Sequence, residues 1–422
     1  MSGTTRPNSF GTADLAAFLI ATGLIALHVI DDNFLQPEPG MSAADHPVSG
    51  LVPLACLLIA AAAYPRLRPG LRAILCTVVG LFGITTGVEG WYYAIQVGPS
   101  RDDYTGIIAS LAGLALLVIA GITLWRSRRL DDPLWRRYLR RGLTTVITLM
   151  VLLEVAYPLA VAYGGTHLAR PAPPVAELGL PHEEVDIQTS DGVTIKGWYV
   201  PSQNRAAVIT YPGRHSAQRH AQFLARHGYG VLLLDRRGQG GSEGDPNSYG
   251  WDEHHDVAAA IAFLRDRSEI DPDRIGGIGF SVGGEVLLET AAWTPELRAV
   301  VSEGAGFRSI REFRHIAPSR WFIVPLVSFA TLGTAVFSNG LPPPDLTDIV
   351  GRITPRPILL IYAENGVGGE ELNQVFHEAA GITADLWRVP GSSHLGGIDA
   401  QPEEYERRVT DFFDRALLAG PR

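Results

Sequence analysis

The sequence predicts two architectures in one chain. An α-helical multi-pass membrane domain with five spans is followed by an α/β domain with a mostly parallel eight-stranded sheet. Hydrophobic residues make up 46% of the 422 residues, and they crowd into long runs within 1–163. Beyond a Gly- and Pro-rich linker at 164–181, short apolar runs alternate with helical stretches through 182–422. That alternation is typical of an α/β fold with a mostly parallel sheet.

Five apolar runs are long enough to cross a bilayer, whose core requires ~17–25 helical residues. They lie at about 14–30, 48–64, 71–95, 105–125 and 142–163. The first run lacks the features of a cleaved signal peptide, because only Arg6 precedes it and no small-residue cleavage site follows it. All five runs are therefore predicted to be membrane helices.

The charges of the connecting loops predict how these helices are oriented. The loops at 65–72 and 126–141 carry three and seven arginines, whereas the loop at 31–47 has four acidic residues and neither Lys nor Arg. The loop at 96–104 has one arginine beside two aspartates. Because Lys and Arg favour the cytoplasmic side, we expect a cytoplasmic N-terminus and an extracytoplasmic segment from 165 onward. A cell-surface domain without disulfides is acceptable at a bacterial plasma membrane.

An acidic residue, Glu89, lies within the third apolar run. It is expected in the outer half of the third helix. The residues expected at the same surface are His28, Asp31, Asp32, Asp45 and His46. Since acids within a membrane are often functional, a ligand or metal site at the outer mouth is one interpretation. An aromatic belt beside a solvated acidic loop is the other.

The second half of the chain has eight candidate strands and five candidate helices. The strands are expected at 185–189, 193–200, 206–211, 230–235, 274–280, 297–302, 357–363 and 384–389, and the helices at 216–227, 252–268, 281–292, 370–380 and 402–418. The first two strands are expected to form a hairpin, and β-α-β units follow.

Ser281 lies in a Gly-x-Ser-x-Gly pattern between an apolar strand and a helix. This is the context of a nucleophile elbow, in which Gly279 and Gly283 let the strand and the helix cross closely. A second match surrounds Ser242, but it runs into Pro246, which breaks the chain where the helix of an elbow should begin. The context therefore selects Ser281 as the nucleophile.

Four segments at predicted strand ends carry a resemblance to a known family. They are 211–214, 235–244, the turn at Ser281, and 390–394. With these segments, about 182–418 resembles the α/β-hydrolase superfamily, and within it the dienelactone-hydrolase-like and prolyl-oligopeptidase-like serine hydrolases. The resemblance implies a catalytic triad in the chain order Ser, acid, His. No family resemblance is found for the membrane half.

His394 is the best candidate for the general base. It lies in a Gly/Ser-rich loop directly after the last apolar strand, so the sheet can hold it near Ser281. The developing oxyanion requires two preorganised N–H donors. Val282, the residue after the nucleophile, is expected to supply one. The resemblance implies Arg214 for the other, although Pro212 stands where the family usually has histidine.

The acidic member of the triad has three candidates. The family usually carries Asp two to three residues past the end of the seventh strand, where this chain has Asn365 and Gly366. Glu364 is adjacent and is the first choice. Glu303, at the end of the sixth strand, is the second choice and Glu370 the third. One of them is needed to orient the histidine and to stabilise its imidazolium form.

An insert at about 305–346 separates the sixth and seventh strands. It contains a seventeen-residue apolar segment at 321–337. Such a length is marginal for a span, and a span here would separate His394 from Ser281 by a membrane. We interpret the insert as a lid or a membrane-dipping cap over an apolar pocket. A purely structural cap is the alternative.

These features predict a membrane-anchored serine hydrolase that cleaves an ester with a hydrophobic or lipid-like acyl group through an acyl-enzyme. A serine peptidase of the same fold and a non-catalytic sensor or scaffold with a degenerate hydrolase domain are the alternatives. A transporter is disfavoured, because no inverted repeat is visible.

The expected partners are the lipid bilayer and a small-molecule or lipid-like substrate, with no cofactor and no metal at the hydrolase site. The net charge is -9, and no basic patch interleaved with aromatic residues is present, so nucleic acid is not an expected partner. The two cysteines, Cys56 and Cys76, lie in apolar runs and predict no disulfide framework. The sequence does not predict the oligomeric state.

Overall fold

The computed structural model describes residues 10–37, 42–96, 98, 102–126, 133–167, 178–213, 217–245 and 247–419. The chain divides into two compact units. One contains 1–169 together with 325–339, and the other contains 170–324 and 340–422. Residues 168–177 of the predicted linker lie outside the described residues.

The first unit is helical. Its helices are α1 (Phe10–Ile30), α2 (Pro47–Ala63), α3 (Pro69–Gln96), α4 (Asp103–Arg126), α5 (Leu134–Val151) and α6 (Tyr157–His167), and a π-helical stretch (Leu152–Ala156) joins α5 to α6. Among the described residues, five helical segments are long and apolar enough to cross a membrane. Four of the five predicted runs fall within one of them, with α5, the π-helical stretch and α6 forming the fifth segment. The third run, 71–95, lies within α3 and extends three residues past Tyr92, where the third segment ends.

Helices α3 and α4 pack closely because glycines remove side chains from their contact. A methyl group added at Gly87 would collide with the carbonyl oxygen of Gly106, and one added at Gly90 would lie 2.8 Å from the carbonyl oxygen of Asp103. Small residues on facing helices allow such close backbone approach in an apolar environment, where helix association depends on packing.

The second unit is built on one eight-stranded sheet. Its strands are β1 (Glu183–Gln188), β2 (Thr194–Val200), β3 (Ala207–Tyr211), β4 (Gly230–Leu234), β5 (Ile275–Phe280), β6 (Ala299–Glu303), β7 (Ile358–Asn365) and β8 (Ala384–Ser393), in the order β1-β2-β4-β3-β5-β6-β7-β8. β2 is antiparallel to β1 and β4, and the pairings from β4 onward are parallel. The prediction of a mostly parallel eight-stranded sheet is confirmed.

The central strands read as continuous apolar runs because helices cover both of their faces. The helices after β3 are α7 (Gln218–Arg226), α8 (His254–Arg265), α9 (Val282–Trp293), α10 (Ile310–Ile316), α11 (Val324–Phe337), α12 (Leu346–Ile349), α13 (Leu372–Ala380), α14 (Gly397–Ala400) and α15 (Pro402–Phe413). Successive residues Val208 and Ile209 of β3 belong to different hydrophobic clusters. One cluster includes residues of α8, α9 and α13, and the other includes residues of α7 and α15.

Most of α11, from the predicted cap insert, belongs to the helical unit rather than to the sheet unit. The ring of Phe337 meets Tyr163 of α6 edge-on, with ring centroids 5.3 Å apart. A methyl group at Gly333 would lie 2.8 Å from the Cβ atom of Ala162. The side-chain oxygen of Asn339 accepts a hydrogen bond from the amide of Val48 at 2.9 Å, near the start of α2.

Candidate active site

Ser281 lies on a strained turn between β5 and α9. Its backbone φ of 52° falls in the left-handed region that L-residues rarely adopt. The turn requires close approach of backbone to backbone, since a methyl group at Gly283 would lie 2.5 Å from the carbonyl oxygen of Pro212. The two glycines of the motif thus let α9 begin directly beneath the strand, with the serine at the junction.

His394 bridges the serine and an acid. Its Nε2 atom lies 3.1 Å from the Oγ atom of Ser281, and its Nδ1 atom lies 2.6 Å from the Oε1 atom of Glu370. With Nδ1 donating to the carboxylate, Nε2 is left to accept the serine hydroxyl proton. β8 ends at Ser393, so the sheet itself places the histidine next to the turn that follows β5.

The acid in this arrangement is Glu370, which lies in the turn between β7 and α13. Its side chain is only 1% exposed. The Oε2 atom accepts a hydrogen bond from the amide of Ala363 at 2.8 Å, and the Oε1 atom accepts one from the amide of Val367 at 3.3 Å. Two backbone amides therefore fix the position of the carboxylate that contacts His394.

The structure gives Glu364, the first candidate for this acid, partners other than His394. The Oε2 atom of Glu364 accepts a hydrogen bond from the amide of Gly391 at 2.8 Å, and Oε1 pairs with Arg388 at 3.1 Å. The residue occupies the exposed end of β7. Gly368 and Gly369 both have positive φ, and they fold the chain back so that the later glutamate reaches the histidine. The signal in the sequence was this glycine-rich turn ahead of Glu370.

Glu303 is close to the same histidine but has other partners. Its Oε2 atom accepts from the hydroxyl of Tyr405 at 2.5 Å and its Oε1 atom from the amide of Gly397 at 3.1 Å. Burial raises the pKa of this carboxyl to about 7. Gly397 begins α14, three residues after His394. Glu303 therefore anchors the loop that carries the histidine and does not itself orient the imidazole.

The structure describes one of the two predicted oxyanion donors. Val282 is the first residue of α9, and the N–H groups of a first helical turn have no partner within the helix. Arg214 lies outside the described residues. Its neighbour Gly213 abuts the nucleophile, since a methyl group there would lie 3.2 Å from the Cβ atom of Ser281.

The hydroxyl of Ser242, in the second Gly-x-Ser-x-Gly match, forms hydrogen bonds with two backbone groups. Its hydroxyl donates to the carbonyl oxygen of Asp235 at 2.8 Å and accepts from the amide of Lys196 at 2.9 Å. The glycine-rich segment after β4 is thereby tied to β2. These two hydrogen bonds are consistent with a structural role for Ser242.

The polar residues of the helical unit are hydrogen-bonded among themselves. His28 contacts the hydroxyl of Thr105 at 3.3 Å and the carbonyl oxygen of Thr86 at 3.2 Å. The same threonine hydroxyl donates to Asp31 at 2.7 Å, and the carboxylate of Glu89 lies 3.5 Å from the Tyr163 hydroxyl. Within the described residues, no group of three or more His, Cys, Asp or Glu side chains could hold a metal ion.

Comparisons with known proteins give a consistent picture of the sheet unit. The family model of X-Pro dipeptidyl-peptidase (S15 family) matches residues 183–345. The polyketide transferase ATR5 of Stachybotrys chlorohalonatus is 29% identical over 211 residues, which cover 47% of this chain and 66% of that protein. The protein YfhR of Escherichia coli K12 is 24% identical over 253 residues, which cover 56% of this chain and 81% of that protein.

Among solved structures, the esterase Pf2001 of Pyrococcus furiosus is similar at 23% sequence identity and a TM-score of 0.47. The match covers 59% of this chain and 99% of the esterase. The chain spans slightly less than two thirds of ATR5. With its eight-stranded, mostly parallel sheet and its match to a hydrolase family model, the second unit has the α/β-hydrolase fold.

Proposed function

We propose that this chain is a membrane-anchored serine hydrolase that cleaves an ester with a hydrophobic acyl group. The observation that carries the proposal is the position of His394, whose two ring nitrogens contact Ser281 at 3.1 Å and Glu370 at 2.6 Å. A nucleophile, a base and an orienting acid in hydrogen-bonding series are what acyl transfer to serine requires.

The chemistry follows from this series. The Oγ atom of Ser281 attacks the ester carbonyl carbon while its proton passes to Nε2 of His394. The carboxylate of Glu370 stabilises the imidazolium, and the Val282 N–H stabilises the oxyanion. The C–O bond then breaks, and the alcohol leaves with the proton from His394. A water molecule, deprotonated by the same histidine, releases the acid and regenerates the serine.

An apolar acyl group is favoured because the same chain carries five helices that could cross a membrane. One relative is named as a polyketide transferase, which supports transfer of a largely apolar group. From the loop charges we place the N-terminus in the cytoplasm and the hydrolase unit outside the plasma membrane of a bacterium. The match to a peptidase family makes peptide hydrolysis the second candidate.

The test uses the full-length protein in detergent micelles with p-nitrophenyl esters of increasing chain length and an X-Pro p-nitroanilide. We expect ester turnover and labelling of Ser281 by a fluorophosphonate, and loss of both in Ser281→Ala. Ser242→Ala is the matched control and should keep labelling. Turnover of the anilide without the esters would support the peptidase instead. A folded protein that neither labels nor turns over would favour a non-catalytic role.

A further inference from the structure

The first two turns of α5 have two chemically different faces. Four of the residues at 134–141 are arginines, at positions 136, 137, 140 and 141, and the other four are Leu134, Trp135, Tyr138 and Leu139. With 3.6 residues per turn, the arginines fall within one arc of about 140° around the helix, and the aromatic and aliphatic residues fall within the opposite arc of about 140°. The segment is therefore amphipathic, with a basic face and an apolar face.

Packing within the helical unit does not account for this pattern. The four aromatic and aliphatic side chains are between 54% and 64% exposed, and none of the residues of α5 is buried. Three of the four arginines are also exposed, and Arg137 is half-buried. The guanidinium carbon of Arg136 lies 5.1 Å from the centroid of the Trp135 ring.

Helix stability does not account for the arginines either. The positive end of the helix dipole lies at the first turn, where acidic residues are stabilising and basic ones are not. The first turn of α5 has no acidic residue, and the sequence has none from Pro133 to Leu153. Four positive charges at this end of the helix therefore indicate an anionic partner outside the helix.

The orientation of the membrane helices does not require the arginines to share a face. Orientation depends on how many Lys and Arg residues a loop carries. In the other arginine-rich connection, at 65–72, Arg66 donates to the carbonyl oxygen of Ala62 at 2.6 Å, and Arg72 donates to that of Tyr64 at 3.0 Å. Those two arginines bind the backbone near the end of α2, which differs from the arrangement on α5.

The position of this segment in the chain identifies the kind of partner. The apolar helical segment Leu134–His167 has 34 residues. At 1.5 Å per residue it is roughly 50 Å long, whereas the hydrocarbon core of a bilayer is about 30 Å thick. Since the predicted span is 142–163, residues 134–141 extend beyond the hydrocarbon to the level of the headgroups. Trp and Tyr are enriched at that level, and the arginine fork binds phosphate.

We infer that residues 134–141 form a binding surface for anionic phospholipids. The arginines contact the headgroup phosphates, and Trp135 and Tyr138 lie at the boundary with the acyl chains. A membrane surface offers an anionic layer beside an apolar one, which matches the two faces of the segment. This inference goes beyond hydrolysis and rests on the membrane anchoring in the proposed function, not on the catalytic residues.

The experiment measures lipid binding to the full-length protein in dodecyl maltoside micelles by native mass spectrometry. The two lipids are phosphatidylglycerol, which is anionic, and phosphatidylcholine, which is zwitterionic, with identical oleoyl chains. Arg136→Gln with Arg141→Gln removes two charges from the basic face. Arg66→Gln with Arg68→Gln removes two charges from the other arginine-rich connection and is the matched control. Unfolding temperatures show whether each variant is folded.

A third variant keeps the composition and the charge but mixes the two faces. It exchanges neighbours through the substitutions Trp135→Arg, Arg136→Trp, Leu139→Arg and Arg140→Leu. Because no residue of α5 is buried, these exchanges leave the core of the helical unit intact. The variant therefore separates the arrangement of the arginines from their number.

We expect the wild type to bind phosphatidylglycerol at least about 30-fold more tightly than phosphatidylcholine. The variant without Arg136 and Arg141 should bind phosphatidylglycerol about 30-fold more weakly, or about fivefold per arginine at a membrane surface. The control should stay within about threefold of the wild type. The exchange variant should lose most of the preference, although its charge is unchanged.

Four results would overturn the inference: equal affinity of the wild type for both lipids, equal weakening by the control, a full preference in the exchange variant, or displacement of the lipid by an equal concentration of inorganic phosphate, which would indicate a small-anion site. A protein that prefers phosphatidylglycerol but lacks Ser281-dependent turnover would overturn the proposed hydrolase and support the lipid surface. A protein that stays soluble without detergent would overturn the membrane anchoring, and the inference with it.

Discussion

At the scale of single residues, the carboxylate that contacts His394 is positioned by a turn rather than by the end of a strand. Glu370 receives the amides of Ala363 and Val367 as well as the Nδ1 donor of His394. Glu364, only six positions earlier, pairs with Arg388 on the exposed side. The two glutamates have the same chemistry and differ in burial and partners, so they form a natural pair for substitution.

We expect Glu370→Gln to lower kcat by about 10³–10⁴, as acid loss does in other triads, because the amide favours the wrong histidine tautomer. Glu364→Gln should keep near-normal turnover. The measurement is p-nitrophenyl ester hydrolysis with unfolding temperatures for both variants. Near-normal activity in a folded Glu370→Gln protein would mean that a Ser–His pair suffices.

The raised pKa of Glu303 predicts that the stability of the folded state depends on pH. Burial raises its pKa from 4.5 to about 7. Because the folded state then holds the proton more tightly than the unfolded state, the resulting stabilisation is fully present below pH 4.5 and is lost as pH rises through 7. The size of the effect is about 3 kcal/mol. His220, whose pKa burial lowers to about 3, has the opposite dependence between pH 3 and 6.5.

A comparison with Glu303→Gln isolates the first effect, since His220 is common to both proteins. The excess stability of the wild type over this variant should be greatest below pH 4.5 and should shrink between pH 4.5 and 7. Chemical unfolding in detergent across this range measures it. A pH-independent difference would show that Glu303 has the same pKa in the folded and unfolded states.

At the scale of elements, the contact between α3 and α4 depends on space that a single methyl group would fill. Gly87 stands against the backbone of Gly106, whereas Gly121 of α4 has no neighbouring atom within 4 Å of an added methyl group. Backbone atoms cannot move aside as a flexible side chain can. Packing of this kind is therefore sensitive to very small changes in volume.

We expect Gly87→Ala to destabilise the helical unit by about 1–3 kcal/mol, the cost of overpacking. Gly121→Ala should be neutral or slightly stabilising, because alanine has the higher helix propensity. Thermal unfolding in detergent, followed by circular dichroism, gives the comparison. Equal unfolding temperatures for the two variants would rule out close α3–α4 packing.

At the scale of the whole molecule, arginine distribution predicts the topology. The connecting segment at 126–141 has seven arginines, and the one at 31–47 has none. A reporter inserted after residue 130 should show cytoplasmic activity, and one fused after residue 422 should show extracytoplasmic activity. Protection of residues 178–419 from protease in intact spheroplasts would contradict the proposed side of the hydrolase unit.

The architecture could be predicted from local patterns in the sequence. The apolar runs specified five long helices, and the switch to short apolar strands specified the sheet, because both signals are local and periodic. Ser281 could be singled out because its strand-turn-helix context is also local. His394 could be singled out as a base because it directly follows the last strand.

Which acid contacts the histidine depends on tertiary contacts and could not be predicted from the sequence. Glu303, Glu364 and Glu370 all follow or end neighbouring strands, and their order of preference depended on side-chain reach. Glu370 reaches His394 because the chain turns at Gly368 and Gly369. Glu303 is instead hydrogen-bonded to Tyr405, and Glu364 is paired with Arg388. The contacts of Tyr405 and Arg388 join residues that are distant in the chain. The glycine-rich turn ahead of Glu370 is visible in the sequence, but the backbone angles that its glycines adopt are not.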